Sequence, residues 1–335
     1  MIAGRKSRIT KTDLAVLVVV LAAVVAAVAF VVRSDLFGVR GPQFSTEFSF
    51  REQARNIPRE MIKYDKVLTI PTGFAAAAAV AVDARDNIYV AGDRSVTVWD
   101  RNGKRLRTAL SNLGYEPRCI AVDEAGRIYL GAGAKVEVYS PDGKPEKTLP
   151  AHAENGIVTR VIPVSDGVFA AVHESFASGL VVRYDAAGTV RQVIELRDMK
   201  LLSRFLDVAV ASDGLRVTNP GAVVTGRIRV YDFDGDFRYD WGRYDTTGNL
   251  ADLSGCCNPA HIVALPDGRI VTSEKGAQAI VKVYHKDAPG DHGRLESVVA
   301  EFEGAAGLDL AVDSKQRICV LDTHSGEVHV FERKD

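Results

Sequence analysis

Cysteine is scarce in this chain, and neither sign of charge is in excess. Four cysteines occur among 335 residues and no two of them form a C-x-x-C pair, so the sequence does not describe a disulfide scaffold. Lysine and arginine number 42, and aspartate and glutamate number 43. A nucleic-acid or other polyanion partner requires a basic excess, so this balance argues against such partners.

Several catalytic and cofactor motifs are also absent. The sequence has no P-loop, no G-x-S-x-G nucleophile elbow and no C-x-x-C-H attachment site for a c-type haem. Apolar residues, in contrast, make up 47% of the chain, which is enough for a substantial core. The length suits one large all-β domain with an anchor, or two ordinary domains.

The N-terminus has the pattern of a membrane segment. An uncharged apolar run of 19 residues extends from Leu14 to Val32, about the length that crosses a bilayer as a helix. Four basic residues precede this run, which places the N-terminus in the cytoplasm by the positive-inside rule. The alternative is a cleaved signal peptide with Ala27-Val28-Ala29 as its cleavage site. Both interpretations export the rest of the chain to an oxidising compartment.

We therefore predict a single-pass protein of the bacterial cytoplasmic (inner) membrane, with its large domain on the periplasmic or extracellular side. The predicted organisation is a basic cytoplasmic N-terminus over 1–12, a transmembrane signal anchor over 13–33, a juxtamembrane linker over 34–63 and the large domain over 64–335. The linker is polar and mixed in composition, and residues 52–63 could form a short helix.

The large domain repeats a unit of four short strands. The third strand of each unit ends in an aromatic residue, and these residues are 40 to 53 positions apart: Trp99, Tyr139, Tyr184, Tyr231, Tyr284 and Phe331. Six such units predict an all-β, six-bladed β-propeller, whereas a solenoid would need a shorter and stricter period. The sixth unit lacks a fourth strand, so we predict that residues 65–70 pair into it and remove the exposed edge.

At these repeats the chain resembles the NHL-repeat family. The resemblance rests on Ile120 to Asp123, Gly126 to Tyr129 and Val136 to Tyr139, and it recurs at Leu310 to Asp313 and Val328 to Phe331. It covers roughly residues 64–335 and implies the propeller fold. Members of that family include binding platforms and a few enzymes, among them a zinc-dependent lyase that works at the propeller mouth.

One position of the repeat is polar in most units. Aligned on the turn after the inner strand, the residue seven positions earlier reads Ala79, Cys119, Arg160, Asp207, His261 and Asp309. The neighbouring columns are almost all Val, Ile, Leu or Ala. Such a ring is expected either for a site at the channel mouth or for a wide, wet channel. Calcium-dependent lactonase propellers carry a Glu, Asn, Asn, Asp ring, which this chain does not match.

Loops between second and third strands add further candidates to the same face. The full predicted set of ligand-binding residues at the channel mouth is Cys119, Arg160, Asp207, His261, Asp309, His173, Glu274, Lys275 and His324. Histidines there could act as acid, base or ligand.

His261 is the candidate metal ligand, because it follows Asn258-Pro259 and opens an inner strand. The resemblance implies this role, since metal-binding histidines open inner strands in the NHL lyase. A catalytic zinc needs about three protein ligands, and only one such histidine occurs here. Zinc or copper is therefore an expectation that depends on the other polar residues of the face.

The adjacent pair Cys256-Cys257 lies in the loop that enters the same strand. Outside the cytoplasm such a pair could form a vicinal disulfide, which stiffens a turn. It could instead bind a soft metal, or be an ordinary disulfide or buried thiol pair. Cys319 falls within a strand and is predicted to belong to the core.

Two hypotheses follow. In the first, the propeller is a binding or scaffolding module that presents its channel mouth to a periplasmic or membrane-associated protein, or to a small ligand. In the second, the protein is a metal-dependent enzyme or redox protein with a His/Cys/Asp site at that mouth. Whether these side chains converge decides between the two, because fold alone does not define function.

Overall fold

The repeats form six antiparallel sheets in the structure, which is a computed structural model. It describes residues 16, 20, 55–150, 152–175, 178–196, 206–219, 227–245, 248–254, 258–276, 278–286, 289, 293–304 and 307–334. Each of the six sheets has four strands in simple sequential order, apart from the last, so each is one blade of a propeller.

The blades follow one another along the chain. Blade one contains β2 (Ala77–Val82), β3 (Ile88–Gly92), β4 (Ser95–Trp99) and β5 (Arg105–Leu110). Blade two contains β6 (Ile120–Val122), β7 (Ile128–Gly131), β8 (Lys135–Tyr139) and β9 (Pro145–Pro150). Blade three contains β10 (Ile157–Val164), β11 (Gly167–Ser175), β12 (Ser178–Asp185) and β13 (Val190–Leu196).

Blade four contains β14 (Val208–Ala211), β15 (Gly214–Thr218), β16 (Ile228–Tyr231) and β17 (Phe237–Trp241). A short parallel pair follows it, β18 (Tyr244–Asp245) and β19 (Leu253–Ser254). Blade five contains β20 (His261–Ala264), β21 (Ile270–Ser273), β22 (Gln278–Tyr284) and β23 (Leu295–Glu303). Blade six contains β24 (Leu308–Val312), β25 (Ile318–Asp322), β26 (Glu327–Arg333) and β1 (Tyr64–Pro71).

Strand β1 is the outer strand of blade six. It pairs antiparallel with β26, with Tyr64 opposite Arg333 and Ile70 opposite Val328. The two ends of the domain therefore share one sheet, which closes the ring and leaves β26 without a free edge.

The recurring Ala-Val-Asp of the sequence is a turn signal. Asp83 Oδ1 accepts hydrogen bonds from the backbone N–H groups of Arg85 and Asn87. Asp313 Oδ1 accepts in the same way from residues two and four positions later. These aspartates therefore shape the hairpin between the first two strands of their blades, as Asx turns do.

The core lies between the blades. Buried apolar side chains of the described residues group into six clusters, and each cluster joins two neighbouring blades. In the cluster between blades six and one, Ile70 of β1 lies with Val330, Val90 and Trp99. Because strands alternate their side chains between two faces, every blade buries both faces against neighbours.

The last residues of the predicted linker belong to the propeller. The described part begins at Arg55, and it contains one turn of 3-10 helix over Arg59–Met61 rather than a longer helix. Ile62 forms a parallel bridge to Val298 of blade five, and Lys63 N–H donates to the Val298 carbonyl. These backbone contacts favour an extended chain here. Within the described residues, no helix has the length and apolar character needed to cross a membrane.

Candidate functional site

The predicted polar ring lies where the inner strands begin. Asp207 stands one residue before β14, His261 is the first residue of β20, and Asp309 is the second residue of β24. Arg160 lies within β10 of blade three. The structure brings these four side chains into contact, and we call them the channel cluster.

Arg160 spans the channel. Its Nη1 donates to Asp309 Oδ1 at 3.0 Å, although blades three and six are on opposite sides of a six-membered ring. Its Nη2 donates to the Leu310 carbonyl at 3.2 Å, and its Nε lies 3.4 Å from Asp207 Oδ1. The sequence left open whether side chains on opposite blades can meet. Arg160 reaches Asp309 because its side chain is long enough to cross the channel.

His261 lies between the two aspartates. Its Nδ1 is 3.1 Å from Asp207 Oδ2 and 3.4 Å from Asp309 Oδ1. The side chain of His261 is 17% exposed, more than that of Arg160 at 12%, and both aspartates are almost fully buried. The imidazole is therefore the part of the channel cluster most accessible to solvent.

The two aspartates also fasten neighbouring blades together. Asp207 Oδ2 accepts the backbone N–H of Ile262 in blade five, and Asp309 Oδ2 accepts that of Val80 in blade one. Inner strands present an unpaired edge to the channel, and buried backbone donors need acceptors. The two carboxylates therefore accept hydrogen bonds from backbone N–H groups of this edge, where blade four meets blade five and where blade six meets blade one.

Mutual attraction sets the charge states of the channel cluster. Burial would raise the pKa of Asp207, but the nearby Arg160 and His261 outweigh burial and lower it. Burial would lower the pKa of His261, but hydrogen bonding to Asp207 and the charge of Asp309 raise it. The cluster carries no net charge when His261 is protonated and one negative charge when it is neutral.

Cys119 lies at the same end of the channel but is buried. It is 3% exposed, and burial raises the pKa of its thiol to about 12. A Cβ on Gly131 would lie 2.6 Å from Cys119 Sγ, so that glycine makes room for the sulfur. Such a thiol is protonated and enclosed, unlike a reactive or metal-binding cysteine.

The loop residues divide between surface and interior. His324 is exposed, Lys275 is half-buried, and His173 is 6% exposed within β11. His173 lies opposite Ile157 and Gly179 in the sheet of blade three, and the His324 N–H donates to Asp322 Oδ1. Convergence of His173 or His324 with His261 stays a prediction.

Glu274 lies inside the protein rather than on the mouth. Its side chain is fully buried, with Arg55 Nη1 at 2.7 Å from Oε2 and Lys282 Nζ at 2.5 Å from Oε1. Burial would raise the pKa of Glu274, but Lys282 and Arg55 outweigh it and lower it. Burial lowers the pKa of Lys282 to about 8, against the raising effect of Glu274. Glu274 can lie in the interior because Lys282 and Arg55 compensate the charge of its buried carboxylate.

Sequence reasoning missed two members of this ion network. Lys282 is the one charged residue in the otherwise apolar stretch Ala279–Tyr284, a signal that was readable in the sequence. Arg55 had no such signal, since it lies in a polar segment far from Glu274 along the chain. Its backbone N–H also donates to Gln278 Oε1, and Gln278 Nε2 donates to its carbonyl.

The described residues do not fit a metal ion at His261. Its Nδ1 is occupied by two carboxylates, and the guanidinium of Arg160 already pairs with both of those carboxylates. Across the part of the chain that the structure describes, no group of three or more His, Cys, Asp or Glu side chains has metal-binding geometry. A second cation beside Arg160 would meet repulsion at close range.

The cysteine pair Cys256-Cys257 lies outside the described residues, so the vicinal disulfide stays a prediction. Hydrogen bonds connect the described residues on either side of this pair. Asn258 Nδ2 donates to the carbonyls of Ser254 and Lys275, and Asn258 Oδ1 accepts the backbone N–H of Lys275. The two cysteines that are described, Cys119 and Cys319, are both buried and form no disulfide.

Comparison with known proteins agrees with the architecture. No family model matches the chain, and no curated protein matches it. A gluconolactonase from Xanthomonas campestris superimposes with a TM-score of 0.59 and 14% identity, over 85% of this chain and 96% of that one. The WD40 β-propeller domain of Doa1 superimposes with a TM-score of 0.52 and 16% identity, over 77% of this chain and 79% of that one.

The fold is a six-bladed β-propeller. At these identities the two structures establish the fold alone, and propellers host many unrelated functions. The more specific resemblance to NHL repeats has no matching family model behind it.

Proposed function

We propose that this chain is a membrane-anchored, extracytoplasmic β-propeller that acts as a binding module. It holds a periplasmic or membrane-associated protein, or a small ligand, and it is tethered to the bacterial inner membrane by its N-terminal apolar segment. The proposal includes kinship with NHL-repeat propellers, several of which are binding platforms.

The observation that carries the proposal is the internal pairing of the channel cluster. Arg160, Asp207, His261 and Asp309 use their charges on one another and on backbone groups of neighbouring blades. Structural ion-pair networks perturb pKa values as catalytic sites do, so the perturbed pKa values of Asp207 and His261 do not by themselves indicate catalysis. The mouth therefore supports a rigid platform better than a metal centre.

The attachment of Arg55 to blade five supports the same interpretation. Arg55 connects the segment that follows the apolar run to the interior of blade five through Glu274. Glu274 directly follows β21, at the end of the blade where β20 begins. The chain therefore joins the propeller beside the face that carries His261.

A second candidate function has one observation in its favour. The contact between His261 Nδ1 and Asp207 is the kind of pairing that orients a histidine for general acid–base work. The gluconolactonase fold match is compatible with an enzyme, although its identity of 14% carries no activity over.

Site-specific photo-crosslinking in cells that express the full chain tests the binding proposal. Benzoylphenylalanine replaces Glu174, which is exposed near the end of β11, or His324, which is exposed in the turn between β25 and β26, and both lie on the His261 face. Leu106 on the outer strand of blade one is the control. We expect the same discrete adduct from Glu174 and His324 and none from Leu106. Equal labelling at all three positions would contradict a specific partner on this face.

Fractionation of the same cells tests the tether. We expect the chain in the membrane fraction after alkaline extraction, with the propeller open to protease added outside the cytoplasmic membrane. Recovery in the cytoplasmic fraction would refute the anchored arrangement. Crosslinking that is retained in His261→Asn would indicate a platform, whereas an enzyme–substrate complex that depends on the imidazole would lose its adduct.

A further inference from the structure

Basic residues gather at one end of blade one. Over 77–110 this blade has six lysines and arginines and four aspartates, although the two signs balance over the whole chain. Five of the basic residues are exposed in the turn between β2 and β3, in the turn between β4 and β5, or early in β5. We call these five the basic rim: Arg85, Arg101, Lys104, Arg105 and Arg107.

The strand order places the basic rim away from His261. Neighbouring strands of blade one are antiparallel, so the turn after β2 and the turn after β4 lie at the same end of the blade. That end is where the inner strand finishes, whereas His261 stands where the inner strand of its blade begins. The basic rim therefore lies on the side of the propeller opposite the His261 face.

No member of the basic rim is paired with a carboxylate. Arg105 donates to Thr108 Oγ1 and Arg107 donates to the Pro141 carbonyl, so both guanidinium groups bind neutral acceptors. Within the part of the chain that the structure describes, the side chains of the other three members form no ion pair. Their charges are therefore open to solvent.

The aspartates of blade one bind backbone groups instead. Asp83 Oδ1 and Asp100 Oδ1 each accept two backbone N–H groups within their own turns. Asp86 accepts the backbone N–H of Ser314, and Asp93 accepts backbone N–H groups of the chain before β2. Over 100–107 four basic residues accompany a single aspartate, so the rim carries an excess of positive charge.

Outer edges of other blades differ in this respect. Their exposed basic residues have carboxylate partners in blades two, three and four: Lys144 with Asp142, Arg191 with Asp166 and Arg238 with Asp232. The unpaired charges of blade one are therefore not a general property of the repeat.

An apolar side chain lies among these charges. Arg105 is opposite Trp99 and Arg107 is opposite Val98, so the register shift between them leaves Leu106 as the extra residue of a β-bulge. Leu106 is 50% exposed. A soluble polyanion would use the charges alone, whereas the boundary between lipid head groups and acyl chains accommodates basic and apolar side chains together.

We propose that the basic rim docks the propeller on the anionic surface of the membrane that tethers it. The inference rests on the proposed tether and adds an orientation to it. A propeller docked through this rim turns the His261 face away from the lipid, where a partner can reach it. The stretch 34–54 spans about 70 Å at full extension, so the tether permits this orientation.

Fluorescence quenching in reconstituted vesicles tests the docking with the full chain. Acridonylalanine replaces Leu106, and the control replaces Phe237, which is 52% exposed on the outer strand of the opposite blade four. The vesicles contain phosphatidylcholine that carries a head-group nitroxide, with or without a quarter of phosphatidylglycerol. We expect quenching at position 106 only with phosphatidylglycerol, loss of that quenching in 0.5 M NaCl, and no lipid dependence at position 237.

Two double variants remove the same charge from different blades. Arg101→Gln with Lys104→Gln changes side chains that make no ion pair, and Arg183→Gln with Arg191→Gln removes two charges that pair with Asp166 in blade three. Each basic residue near an anionic surface strengthens association about fivefold. The ratio of quenched to unquenched chains at position 106 should therefore fall at least tenfold in the first variant and stay unchanged in the second.

Three results would overturn the inference. The first is equal quenching in the two lipids or at the two positions, and the second is an equal response of the two double variants. The third is retention of the chain on immobilised heparin without lipid-dependent quenching, which would assign the rim to a soluble polyanion.

Flotation of the same vesicles separates this inference from the proposed function. A chain that floats with both lipids but shows no lipid-dependent quenching keeps its tether and loses the docking. A chain that floats only with phosphatidylglycerol keeps the docking and loses the tether, and one that floats with neither loses both. Crosslinking to a partner at Glu174 and His324 is read as a protein adduct, so lipid contact at Leu106 does not disturb that control.

Discussion

Removing the negative charge of Glu274 breaks two buried ion pairs at once, those with Arg55 and Lys282. Glu274→Gln keeps the size of the side chain but leaves Arg55 and Lys282 without their counter-charge. All three side chains are almost completely buried, with contacts of 2.7 Å and 2.5 Å to the carboxylate. Breaking a buried pair by removing one partner costs about 3–5 kcal/mol. At about 2 °C per kcal/mol for a domain of this size, Tm should fall by roughly 6–10 °C.

Thermal unfolding followed by circular dichroism measures this change. Asp142→Asn is the matched control, because Asp142 also pairs with a lysine but is exposed, and we expect no measurable shift for it. A double-mutant cycle with Arg55→Ala adds specificity: the Glu274→Gln effect should be smaller in the Arg55→Ala background, where only one cation is left unpaired. A Tm within 1 °C of the parent for Glu274→Gln would refute the argument.

Three further predictions concern pH, thiol reactivity and ring closure. The aspartates raise the pKa of His261 in the folded protein, so protonation of His261 stabilises the fold below the unfolded pKa of about 6.5, and this stabilisation is lost as pH rises through the folded pKa. Between pH 5.5 and 9, Tm should therefore fall more for the parent than for His261→Gln. Parallel Tm profiles would contradict this. Cys119 and Cys319, both buried and with pKa values raised to about 12, should resist iodoacetamide at pH 8 in the native state and react after denaturation, as peptide mapping would report. A chain that begins at residue 72 lacks β1 and should aggregate through the exposed edge of β26, whereas one that begins at residue 55 should stay soluble by size-exclusion chromatography.

Much of the fold was readable because a propeller repeats its local signals. The third-strand aromatics, from Trp99 to Phe331, occur once per blade, and the aspartates of Ala-Val-Asp make the same hairpin in several blades. The missing fourth strand of the last unit and the spare strand before the first pointed to the pairing that β1 and β26 make. Local rules of pairing and turn formation are sufficient for such inferences.

The candidate site was only partly readable. Alignment of the repeats selected Arg160, Asp207, His261 and Asp309 as one ring, but it could not show that they neutralise one another. It assigned Glu274 to the same surface, whereas the structure buries it against Arg55, a residue 219 positions away in the sequence. Whether a polar side chain faces solvent or a partner depends on which blades are neighbours.

The sequence by itself determined the number of blades, the strand and turn pattern of each blade and the column of residues that begins the inner strands, because each of these depends on contacts within about fifty residues. Only the tertiary structure decided that Arg160 reaches Asp309 across the ring, that the inner strands of all six blades line one cavity, and that Arg55 completes an ion network in blade five. Those features depend on distances between segments far apart in the chain. Such distances are fixed by closure of the ring and by packing between blades, and no local pattern contains them.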